Sequence, residues 1–137
     1  MYDYYLAHSL DIRNKVRYYQ EKIEKELNLC LFNPFYDSDR NDIEDIDNGD
    51  ISRWELSYEQ CEDIVKEDKE NLRKCEGYLG IIEEPSIGTV LEMGYAYSLG
   101  KEVVVISDLY VNHPWVKIYA DRKYKNVEEF IDDYNEW

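Results

Sequence analysis

Between residues 2 and 32 the apolar pattern changes period twice. Tyr2 to Ala7 is a short, aromatic-rich run that reads as a strand. Ile12, Val16, Tyr19, Ile23 and Leu27 then recur at spacings of three and four, which is one apolar stripe on a helix. Asp11 stands where an N-cap belongs and Asn28 where a C-cap belongs. Leu29 to Phe32 is a second apolar run, closed by Asn33-Pro34. Strand, helix and strand in this order predict a right-handed, parallel βαβ unit.

The same alternation continues. The spacing of Cys61, Ile64, Val65, Asp68 and Leu72 predicts a helix from Ser57 to Cys75, and Tyr78 to Ile82 reads as a third strand. A break at Glu83-Glu84-Pro85-Ser86-Ile87-Gly88 leads into a helix from Thr89 to Leu99, stopped by Gly100. Val103 to Ile106 is wholly apolar and β-branched, as in strands buried on both faces of a parallel sheet. Val116 to Ala120 is expected to be a fifth strand, and Asn126 to cap a last helix through Tyr134. The expected fold is therefore α/β: one domain over residues 1–137, a doubly wound (flavodoxin- or Rossmann-like) five-stranded parallel sheet with helices on both faces. At 137 residues the chain suits one core and not two.

Residues 36–56 stand apart as an acidic, solvated excursion. Asp45, Asp47 and Asp50 invite a calcium reading, but the glycine falls one position early for a calcium loop and no glutamate closes it. No metal or other cofactor is expected. Sixteen basic residues against 31 acidic ones give a net charge of −15, which repels nucleic-acid polymers and anionic membranes. The first residues lack a signal-peptide pattern, no apolar run approaches a membrane span, and three cysteines without CxxC spacing suit a reducing compartment. The expected location is cytoplasmic.

In an open parallel sheet, ligands bind beyond the carboxyl ends of the strands, where the strand order reverses. Three segments should meet there: Tyr5-Leu6-Ala7-His8-Ser9, the turn from Pro85 to Thr89, and the loop carrying His113-Pro114-Trp115. Ser86-Ile87-Gly88-Thr89 runs from a strand end into a helix start and offers backbone N–H groups, hydroxyls and a positive dipole end to a small anion. Glu92 fits either of two roles, the far half of a Thr89-x-x-Glu92 capping box or a carboxylate facing the cleft. Gly94, inside the helix, suggests a close approach at that level. Asp68 is either a surface acid or the second carboxylate of a glycosidic site. His8 is either a cleft group or a strand-end histidine bonded to backbone. Arg13 is either a surface residue or an anion ligand beside Ser9. Trp115 and Tyr95 suit stacking on a base or ordinary packing.

Tyr5-Leu6-Ala7, Asp68 eight residues before Glu76, and PSIGTVLEMGYAYSLGK from Pro85 to Lys101 together resemble the nucleoside 2-deoxyribosyltransferase superfamily. The resemblance implies the catalytic roles. Glu92 is the nucleophile that attacks C1′ of the sugar, Tyr5 orients it, and Asp68 contacts the base and assists its departure. It also implies a small nucleoside or nucleotide as partner and a homodimer or larger homo-oligomer, for which Trp137 could reach a neighbour. Transferases of the family tend to carry an aspartate six residues before the nucleophile. Here that residue is Ser86, and Pro85-Ser86-Ile87-Gly88 resembles the branch that hydrolyses 2′-deoxynucleoside 5′-phosphates. On that reading Ser86, Gly88 and Thr89 hold the 5′-phosphate, with Ser9, Arg13 and His8 on the other side. Thr89 departs from that branch and leaves the choice between hydrolysis and base exchange open. A non-catalytic nucleotide-binding protein and an acidic protein-interaction domain are the readings from other classes.

Overall fold

A computed structural model describes residues 1–38 and 55–136. The sheet strands are β1 (Tyr4–Ala7), β2 (Leu31–Phe32), β3 (Gly77–Ile81), β4 (Glu102–Ile106) and β5 (Arg122–Tyr124). The helices are α1 (Arg13–Leu27), α2 (Tyr58–Lys74), α3 (Ile87–Ser98), α4 (Pro114–Tyr119) and α5 (Val127–Tyr134), with a short 3-10 turn at Leu10–Ile12. All strand pairings are parallel, in the order β2-β1-β3-β4-β5. The chain winds outward one way from β1 to β2 and the other way from β1 to β3, so the switch in strand order lies between β1 and β3.

Alternate residues of β1, β2, β3 and β4 feed two cores. Tyr4, Leu6, Leu79, Ile81, Val104 and Ile106 pack under α1 and α5, around Val16, Ile23 and Phe130. Tyr5, Ala7, Tyr78, Val103 and Val105 pack under α2, α3 and α4, around Leu72, Met93, Ala96 and Val116. Burial on both faces explains why β1, β2, β3 and most of β4 read as continuous apolar runs, whereas β5 exposes Arg122 and Lys123.

Several boundaries differ from the sequence expectation. The fifth strand is not Val116–Ala120. That stretch is α4, because Pro114 takes the first helical position and the His113 ring accepts from the Trp115 N–H at 3.2 Å, so β5 falls further on. Asp11 does not cap α1. It lies inside the 3-10 turn, and α1 begins at Arg13. Asn28 does end α1, in the left-handed conformation at φ 54°. Of the acidic excursion, residues 39–54 lie outside the described residues, and so do Asp45, Asp47, Asp50 and Trp137.

Candidate active site

The site is assembled where β1 ends and α3 begins. Tyr5 and Tyr78 are register partners on adjacent strands, and both side chains are fully buried on the α3 side of the sheet. The Tyr5 hydroxyl donates to Glu92 Oε2, reaching from β1 to the second turn of α3. A carboxylate oxygen held by a buried phenol has a fixed direction, which is what a carboxylate nucleophile requires. Of the two readings of Glu92, the capping box is not the one adopted. Ser86 is the N-cap of α3, its Oγ accepting from the Thr89 N–H at 3.4 Å and lying 2.7 Å from Thr89 Oγ1. The helix therefore starts earlier than Thr89, which puts Glu92 a full turn inside it.

The first turn of α3 is an open rim. A Cβ at Gly88 would meet no heavy atom within 4 Å, so a ligand can approach the backbone there. Thr89 is buried, its hydroxyl engaged by Ser86 and its carbonyl accepting from the Tyr78 hydroxyl at 2.7 Å. Gly94 does not record the close approach expected of it. A Cβ there would lie 3.7 Å from the Tyr119 ring, an ordinary contact.

Across the rim, Ser9 follows β1 and donates to Glu84 Oε1 at 2.8 Å. Arg13 opens α1, and its Nη1 donates to the Leu10 carbonyl at 3.2 Å. His8 is buried, with Nδ1 3.0 Å from the Ser9 carbonyl and Nε2 3.1 Å from Asn33 Oδ1. Asn33 in turn donates to Gln20 Oε1 at 3.0 Å. His8 thus lies in a network that ties β1 to the end of β2, and a neutral ring donates from one of these two nitrogens only. Burial holds the imidazole pKa below its ordinary value.

Asp68 lies on α2, half-buried, with Oδ1 withdrawn from solvent. Its helix is fastened to α3 through Tyr95, whose hydroxyl receives a bond from Arg73 Nη1 at 2.5 Å and whose ring lies 5.2 Å from Lys69 Nζ. Tyr95 is therefore occupied by packing between helices. Trp115 is exposed and meets the edge of Tyr119. It borders an apolar groove of about 450 Å³ between α3 and α4 that also takes in Ser86, Ile87 and Met93. Glu92 is not among the residues lining that groove.

Sequence reasoning missed Tyr78 and Glu84. The signal for Glu84 was its place in the Glu-Glu-Pro-Ser turn. For Tyr78 it was the tyrosine two residues before a glycine in a strand that should pair with Tyr5.

A doubly wound parallel sheet with a carboxylate bonded to a buried tyrosine at its switch point marks the class of α/β proteins that bind small ligands there. The sequence model of the nucleoside 2-deoxyribosyltransferase family matches residues 4–129, and the chain belongs to that family. Its chemistry is accordingly glycosyl transfer or hydrolysis on small nucleoside or nucleotide substrates. No curated protein matches the sequence at a significant level. Among the described residues, no helix is long and apolar enough to cross a membrane.

Proposed function

We propose that this protein cleaves the N-glycosidic bond of 2′-deoxynucleoside 5′-monophosphates through a glycosyl-enzyme ester on Glu92. The observation that carries the reading is the contact between Tyr5 and Glu92 at the switch point. The Glu92 carboxylate forms a bond to C1′ as the bond from C1′ to the base nitrogen breaks. Asp68, in its acid form, gives a proton to the departing base. Water then attacks C1′, releases the sugar phosphate, restores the Glu92 carboxylate and returns a proton to Asp68. The Ser86 cap and the open backbone at Gly88 support a 5′-phosphate at the N-terminus of α3.

A second reading is favoured by Glu84. Its carboxylate, held by Ser9 at the same rim, disfavours a phosphate dianion and suits a 5′-hydroxyl. Under that reading the glycosyl ester is resolved by a second base, and deoxyribose passes between nucleosides. Incubation with deoxynucleotides, and separately with deoxynucleosides plus a foreign base, followed by chromatography, distinguishes the two. Free base and sugar phosphate are expected from the first mixture. A new nucleoside from the second, with the first unchanged, selects exchange instead. Binding without consumption of any substrate sinks both. Glu92→Ala is expected to abolish turnover with the fold intact, and retained turnover refutes the nucleophile assignment. The reading includes a homo-oligomer joined through the apolar face of α3 and α4 and a cytoplasmic location.

A further inference from the structure

We propose that Tyr78 is a positioning residue for the site, holding the first turn of α3 so that Glu92 meets the sugar, with Gly80 as the space that admits it. The proposal rests on the reading of Glu92 as nucleophile. Tyr5 and Tyr78 stand side by side in register on β1 and β3, and both are fully buried beneath α3. Tyr5 holds the Glu92 side chain, whereas Tyr78 holds the backbone that carries it, through the 2.7 Å bond from its hydroxyl to the Thr89 carbonyl. Thr89 is itself joined to Ser86 through both its N–H and its hydroxyl. The nucleophile and the anion-binding rim are therefore referred to the same strand.

Gly80 makes this possible. Residues 78 and 80 point to the same face of β3. A Cβ at Gly80 would lie 2.5 Å from the Tyr78 hydroxyl oxygen and 2.8 Å from its Cε1, so the ring occupies the place of a side chain. Lying over Gly80, the ring brings its hydroxyl to the Thr89 carbonyl on α3. The two groups are also coupled electrically. Burial first, and the Glu92 charge second, push the Tyr78 phenol well above its ordinary range, so it stays a neutral donor.

Helix α3 keeps its other anchors, so loss of this bond displaces Glu92 without unfolding the chain. In near-attack geometry a small displacement weakens the chemical step far more than binding. Tyr78→Phe keeps the ring and removes the bond. With the common 2′-deoxynucleoside 5′-monophosphates or deoxynucleosides as substrates, it is expected to lower kcat roughly 10- to 100-fold while KM changes less than about two-fold. Gly80→Ala moves the ring and is expected to lower kcat in the same way. Because both act on one bond, the double variant should lose no more than the worse single one. Thermal melts accompany each variant. An unchanged kcat in Tyr78→Phe, or a loss that tracks falling melting temperature with KM rising in step, overturns the positioning role. If Glu92→Ala is inactive in the same assays, the glycosidase reading survives that result. If Glu92→Ala retains turnover, the underlying reading fails and the inference with it.

Discussion

His8 and Glu92 lie near the same end of β1 and are held in different ways, one within a buried polar network and the other with the Tyr5 phenol on its carboxylate. The His8 network gives a pH dependence of stability with a definite sign. Burial favours the neutral imidazole in the folded chain, so between the two pKa values the unfolded chain holds the additional proton. The stability contributed by neutral His8 is complete above its ordinary value of 6.5 and is lost as pH falls through the depressed folded value. Urea unfolding at about pH 7.5 and about pH 5.5 is expected to show lower stability at the acid value, with a smaller drop in His8→Gln. An equal drop in the variant assigns the titration to another group. At this scale the sequence revealed what local spacing can carry. Glu92, Ser86 and Gly88 lie within seven residues of one another, and their types suit one turn. Tyr78 was hidden because its role depends on pairing with Tyr5 across 73 positions and on the missing side chain at Gly80.

At the scale of elements, α3 is defined by its two ends, and its glycines have opposite duties. Gly100 follows the last turn at φ 72°, in the left-handed region that costs a side chain energy. Its neighbour Lys101 donates to the Cys75 and Arg73 carbonyls at 2.5 and 3.1 Å and so closes the end of α2. The Gly-Lys pair is thus structural. Gly100→Ala is expected to destabilise by about 1 kcal/mol without changing KM. Gly88→Ala, at a helical position with open space, is expected to stabilise by about 0.5–1 kcal/mol while raising KM for a phosphorylated substrate. Urea midpoints together with steady-state kinetics check the pair, and loss of stability in both variants refutes the contrast. Element type was readable wherever one period ran for several turns, as in α1 and α2. It failed at Val116–Ala120, where β-branched Val116 and Ile118 alternate in a helix only six residues long. There Pro114 and the His113 cap outweigh propensity.

For the whole molecule, charge and apolar surface pull against each other. A net charge of −15 repels a second copy, yet α3 and α4 present Ile87, Leu91 and Ile118 at 78%, 68% and 72% exposure, beside Val90 and Trp115. An apolar face of this kind bordering a groove is favourable to cover, and under the reading proposed above the cover is another copy of the chain. Like-charge repulsion is screened by salt, whereas burial of apolar surface is not weakened by it. Association should therefore tighten as salt rises, the reverse of what a complex held by opposite charges does. Sedimentation equilibrium at low and high sodium chloride is expected to give a dimer or larger species that is more populated at high salt. Ile118→Glu, which adds charge to the face at a residue outside the active site, is expected to shift the population toward monomer with the fold retained. A wild-type chain that stays monomeric at high salt and high protein concentration removes α3 and α4 as a self-association surface. It would leave the Tyr5–Glu92 site to act within a single chain.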